Sequence, residues 1–135
     1  MFGTKIAVVL LDSLEVWQKL NVTSFLTSGI IGEAPSLIGQ EYRDKSDYTY
    51  LELLRQPVII LECNEETLKR VHARICGKSI KCAICISDMF STDNDDANRE
   101  TVLRYKTDEL PLVGIALREE KKIVDKVTKG AKLHT

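Results

Sequence analysis

The chain has 135 residues, enough for one domain with a substantial core and short for two. Its 44% hydrophobic and 29% charged content, with a formal net charge of -1, is that of an ordinary globule and excludes a surface adapted as a whole to nucleic acid. The apolar segment that follows Lys5 is far shorter than a membrane span or a secretory core with its cleavage site, so the expectation is a cytoplasmic protein without membrane association.

Four nearly continuous apolar runs, residues 6–11, 58–61, 82–86 and 112–117, read as strands covered on both faces. Helical segments alternate with them. The first, about 15–31 in "EVWQKLNVTSFLTSGIIG", is apolar most of the way round and is expected to be largely buried. The second has Asn64 as N-cap, Glu65 and Glu66 in its first turn, an inward stripe of Leu68, Val71 and Ile75, and Gly77 as its stop. The third is expected to start at Asp93, with Asp96 in the first turn. The last, about 119–128, turns Ile123, Val124 and Val127 inward, with Gly130 just beyond.

Between the first helix and the second strand, "GQEYRDKSDYTYLELLRQ" (39–56) breaks the pattern, and the turn chemistry of Lys45-Ser46-Asp47 between tyrosine-bearing segments predicts a small hairpin or ordered excursion. Tyr42, Tyr48 and Tyr50 there would form an exposed aromatic surface suited to a dimer interface or a ligand lid. Alternation of strands and helices predicts a single-domain α/β three-layer sandwich, with a mixed, mainly parallel sheet of about four strands and helices on both faces.

At 100° per residue, Lys19, Thr23, Leu26 and Ile30 share a stripe of the first helix, which puts an ammonium in an otherwise apolar sector. Either Lys19 extends its head to solvent past an apolar rim, or it meets an anion at the end of the sheet, where α/β proteins collect their sites. Asp88, directly after the third strand, is the candidate anion, provided that the first and third strands pair. Trp17 either packs the helix entrance, the more common use of such a residue, or lines a pocket.

The blocks "KIAVVLLDSLEVWQKLNVTSFLTSG", "DMFSTDNDDANRE" and "VDKVTKGAKLH" together resemble the family known as domain of unknown function two thousand, over nearly the whole chain from Lys5 to His134. That family is grouped with the type II peptidyl-tRNA hydrolases, which implies a mixed four-stranded sheet with helices on both faces. The wider hydrolase family carries three blocks: Gly-Lys-x-x-Ala-Gln, Asp-Ala-Gly-x-Thr-Gln and Val-Asp-Lys-Val-Thr. Here the first keeps Lys19 but has Thr23 for the glutamine. The second keeps Asp88 and Thr92 but has Phe90 for the glycine and Asp93 for the glutamine. The third is intact from Val124 to Thr128.

The resemblance implies a homodimer and a hydrolase cleaving peptidyl-tRNA or a smaller ester or amide. Asp88 would orient or deprotonate water, Lys19 would supply the cation and Thr92 a positioning hydroxyl, with substrate contacts from Thr23, Phe90 and Lys126 and no cofactor or metal. The alternative is a non-catalytic module that keeps the fold and binds a small polar ligand or regulates; Phe90 in place of glycine, which fills pocket volume, favours it.

Charge divides along the chain. Residues 88–100 hold five acids against Arg99, which would repel phosphate, whereas residues 121–134 hold five lysines against Asp125, either a solvated helix face or a support for an RNA backbone such as tRNA. Cys82 and Cys85 have redox-motif spacing but lie in a strand, where residues three apart face opposite sides. All four cysteines sit in apolar surroundings and read as small buried hydrophobes without a disulfide. His72 reads as a buried, hydrogen-bonded core residue, and His134 has no companions at metal-ligand spacing.

Overall fold

The computed structural model describes residues 2–135. In chain order the elements are β1 (Thr4–Leu11), α1 (Val16–Glu33), β2 (Tyr42–Arg43), β3 (Thr49–Tyr50), β4 (Val58–Cys63), α2 (Glu65–Gly77), β5 (Cys82–Ile86), α3 (Asp95–Leu103), β6 (Leu112–Glu120), α4 (Lys121–Val127) and β7 (Lys132–Leu133). Single 3-10 turns cover Pro35–Leu37, Ser87–Ser91 and Thr107–Glu109.

The main sheet has five strands in the order β5-β6-β1-β4-β7. Only β1 and β4 run parallel; β1–β6, β5–β6 and β4–β7 are antiparallel. The expected mixed α/β sheet is therefore present, but it is mainly antiparallel and one short strand wider. The reason lies in β6, which enters between β1 and β5 and runs opposite to both. The first and third long apolar strands, β1 and β5, are consequently not neighbours.

The sheet separates two cores. On one face Val22, Leu26 and Ile30 of α1 pack on Ile6, Val8, Leu10, Cys85 and Ala116. On the other, Leu68, Val71 and Ile75 of α2 and Val124 and Val127 of α4 pack on Ala7, Val9, Ile115 and Leu117. The central strand β1 is fully buried from Ile6 to Val9, which accounts for its uninterrupted apolar run. Where α1 crosses β6 there is no room for a side chain: a Cβ on Gly114 would lie 2.5 Å from Val22 Cγ1 and 3.0 Å from Leu26 Cδ1.

Helix ends follow their capping chemistry. The Asn64 side chain accepts the N–H of Thr67 at 2.9 Å at the start of α2, as the sequence leads one to expect. At α3 the cap is Asn94, not Asp93: its Oδ1 accepts from the Ala97 N–H at 2.8 Å, and Asp95 and Asp96 occupy the first turn. The shift by one residue puts the uncharged side chain at the cap and both carboxylates at the positive end of the helix.

Two burial expectations are overturned. Helix α1 is not largely buried, since Val16, Trp17, Leu20 and Phe25 are exposed on it, Trp17 to 56%. Cys76 is exposed as well, on the outer side of α2, while Cys63 and Cys85 are buried and Cys82 partly so; all four are free thiols. The excursion forms the small β2–β3 hairpin, with Tyr42, Tyr48 and Tyr50 exposed and Asp47 in the left-handed region at φ 64°. No described helix is long and apolar enough to cross a membrane.

Candidate functional site

Helix α1 lies along the sheet with a different chemical setting on each flank. Lys19 points to the β4 side. Its Nζ is 3.7 Å from Glu62 Oε2 and 3.1 Å from His134 Nε2, and the same imidazole nitrogen is 3.1 Å from Glu62 Oε2. The Lys19 and Glu62 side chains keep only 17% and 15% of their surface exposed. Glu62 reaches this place because it alternates with Ile60 on the α1 face of β4, and His134 because β7 pairs antiparallel with β4 beside it.

The contacts of His134 admit two arrangements. With Nδ1–H donating to the main-chain oxygen of Thr135 at 2.9 Å, the Nε2 lone pair of a neutral ring accepts from the Lys19 ammonium. A protonated ring would instead donate from Nε2 to Glu62 and stand against the lysine charge. The cluster can therefore hold a cation, a carboxylate and an imidazole at one partly buried point, which is an arrangement able to bind a polar group or move a proton. Sequence reasoning missed Glu62 and His134. A carboxylate inside the apolar run of β4, facing the same way as Ile60, was the available signal.

Asp88 does not join Lys19. No ion pair within 4.0 Å links them among the described residues; Asp88 instead accepts a 2.9 Å hydrogen bond from the Tyr105 hydroxyl, which raises the phenol above its ordinary range. The expected pairing fails because β6 stands between the strands that would have carried the two residues together. Thr23 stays on the lysine flank, where its hydroxyl donates to the Lys19 carbonyl at 2.8 Å. Lys126 is exposed on α4, on the opposite face of the sheet from α1, and joins neither group.

The other flank of α1 forms a groove of about 620 Å³ with β5 and the segment that follows it. Trp17, Asn21 and Phe25 make one wall; Ile84, Met89 and Phe90 make the other, and Thr92, Asp93, Asp95 and Asn98 close one end. Trp17 thus lines a pocket and does not pack into the core. Its ring meets Phe90 edge to face, with centroids 5.9 Å apart. Thr92 places its hydroxyl between the Met89 carbonyl, at 3.0 Å, and the Asn98 side-chain oxygen. The groove's charged lining consists of Asp93 and Asp95 alone, without a lysine or arginine.

A second groove of about 670 Å³ continues between α1 and β5 beyond this one. The two meet at Gly29 and Ala83, residues common to both linings, where a Cβ on Gly29 would stand 3.0 Å from the Cβ of Ala83. The elongated depression is pinched there by a close approach of helix to edge strand.

Elsewhere Cys63, Cys82, Cys85 and His72 behave as core groups. Cys82 and Cys85 pack on opposite sides of the sheet and do not form a pair. Burial pushes the Cys82 and Cys85 thiols up to about 11, and Cys63 likewise, with Asp12 and Glu62 adding to the effect there. His72 is buried, 3.4 Å from Cys76 Sγ, and burial lowers its pKa. No group of three or more metal-ligating side chains occurs among the described residues.

The family model described as "Protein of unknown function (DUF2000)" matches residues 4–135. Among solved structures, the chain is similar to Atu0240, a protein of unknown function from Agrobacterium tumefaciens strain C58, with 47% sequence identity, full coverage of both chains and a TM-score of 0.98. No curated protein matches the chain significantly.

Proposed function

The chain belongs to the DUF2000 family of proteins of unknown function, and on that footing we propose that it is a non-catalytic module that binds a small ligand in the groove between α1 and β5. The observation that carries this reading is the Trp17–Phe90 pair, which sets aromatic surface, partly exposed, at the mouth of a concave site. Binding sites combine such apolar walls with a few converging polar groups, here Asn21, Thr92 and Asn98. With Asp93 and Asp95 as the only charges, the groove favours a flat ligand that is neutral or cationic and disfavours phosphate.

Benzamidine and benzoate, flat molecules of opposite charge, test the assignment through the indole resonance and fluorescence of Trp17. Benzamidine should perturb both saturably, benzoate should not, and Phe90→Ala should weaken the effect at least tenfold. Equal responses to the two probes, or none, would remove the groove as the site.

A second reading is favoured by the Lys19–Glu62–His134 cluster: hydrolysis of an ester or amide, including that of peptidyl-tRNA, in keeping with the resemblance to the type II peptidyl-tRNA hydrolases. In this reading His134 takes the proton of water, while Lys19 offsets developing negative charge. Asp88, held by Tyr105, has no part in it. Turnover of an N-blocked aminoacyl-tRNA that Lys19→Met and His134→Ala abolish, with folding intact, would replace the binding reading by this one. The homodimer belongs to the same resemblance, and sedimentation equilibrium tests it.

A further inference from the structure

Arg118 is out of place by the rules of burial. It lies on β6, opposite Ile6 of β1, and its Nε is a buried donor without a hydrogen-bond partner. Leaving a guanidinium N–H unsatisfied costs more than an ordinary lost hydrogen bond, because the group is charged and cannot shed its proton. Neither an ion pair nor a side-chain hydrogen bond occupies Arg118 among the described residues.

The surroundings explain what such a group could serve. Arg118 lines the second groove, together with Lys78, Ser79 and Lys81 of the loop between α2 and β5. Two carboxylates share the lining, but both are engaged: Glu33 accepts from Lys81 at 3.3 Å, and Glu119 accepts the N–H of Glu120 at 3.1 Å. Arg118 and Lys78 are left as cations without an ion-pair partner, and the Ser79 hydroxyl has no bond of its own among the described residues.

We propose that this groove is a binding site for a phosphate group, free or carried as a monoester, held by the guanidinium of Arg118 and by Lys78, with Ser79 donating a further hydrogen bond. An arginine fork matches phosphate oxygens in two parallel contacts, so the anion would pair with the orphaned edge once the side chain turns its buried Nε toward the groove, while Lys78 adds charge. The site lies across the Gly29–Ala83 pinch from the aromatic groove and does not depend on what that groove binds.

Inorganic phosphate and glycerol 3-phosphate, each titrated into the intact protein at constant ionic strength set with chloride, test the proposal by the backbone amide resonances of Ser79 and Ala83, and in the parent and Lys78→Gln also by the Nε–H resonance of Arg118. A saturable shift is expected for at least one of them, weakened tenfold or more by Arg118→Gln and by Lys78→Gln. Arg118→Lys should fail to restore binding, since an ammonium lacks the planar fork. Lys78 is exposed, so its variant keeps the test decisive should Arg118→Gln fold poorly. A response no larger than that to chloride, or affinity unchanged in Lys78→Gln and Arg118→Gln, would overturn the assignment. Saturation by the monoester alone would identify the organic ligand class, and saturation by both would identify the phosphate group itself as what is read.

Discussion

The ammonium of Lys19 and the carboxylate of Glu62 lie 3.7 Å apart across the boundary between helix α1 and strand β4, with His134 bridging them. Removing one member of a partly buried pair leaves the other desolvated and uncompensated, whereas removing both does not. Lys19→Met and Glu62→Gln should therefore each lower stability by roughly 1–2 kcal/mol, and the double variant by less than the sum. Urea denaturation of the four proteins of the cycle measures it. Strict additivity would mean that Lys19 and Glu62 are neighbours without energetic coupling.

At the crossing of α1 over β6, Gly114 is required by space. Adding a methyl 2.5 Å from Val22 Cγ1 forces the helix off the sheet, and such overpacking costs about 1–3 kcal/mol. Gly114→Ala should show that loss in thermal or chemical unfolding. Val22→Ala in the same chain should return part of it, although Val22→Ala alone destabilises.

Trp17 is the single tryptophan of the chain, so its emission reports on the aromatic groove without a competing signal. Phe90→Ala removes the edge-to-face partner, and the expected result is a red-shifted emission maximum with a stability loss of about 0.5–1.5 kcal/mol. Asp88→Asn, which disturbs the Tyr105 contact on the far side of that segment, should leave the emission maximum in place.

Three thiols with pKa values raised to about 11 carry a pH dependence whose sign is fixed. Between pH 9 and 11 the unfolded chain has released these protons and the folded chain has not, so the unfolded state binds fewer protons and stability falls as pH rises. The burial contribution is fully present below pH 9 and is lost towards 11. Denaturation midpoints measured from pH 8 to 11 should decline, and Cys85→Ala should make the decline shallower. At pH 8 the exposed Cys76 should react with a disulfide reagent well before the other three.

Element identity was legible from the sequence, because β1, β4, β5 and β6 are apolar runs bounded by caps and turns, and Asn64 announces α2 through an ordinary N-cap. Strand order was not, since it is set by pairings between distant segments: β6 is the last long strand yet inserts beside β1 and separates it from β5. That one insertion divided the expected site, leaving Lys19 and Thr23 on one flank of α1 and Phe90 and Thr92 on the other. The exposure of Trp17 also escaped the helical pattern. Periodicity reports apolar character, and it is silent about a face that the fold leaves uncovered.

Gly29 and Ala83 stand where the two grooves meet, too close for a side chain at position 29 to enter freely. A methyl added at position 29 requires Ala83 to yield by a few tenths of an ångström. The contact therefore partitions one depression into two compartments of unlike chemistry, aromatic and acidic on one side and basic on the other.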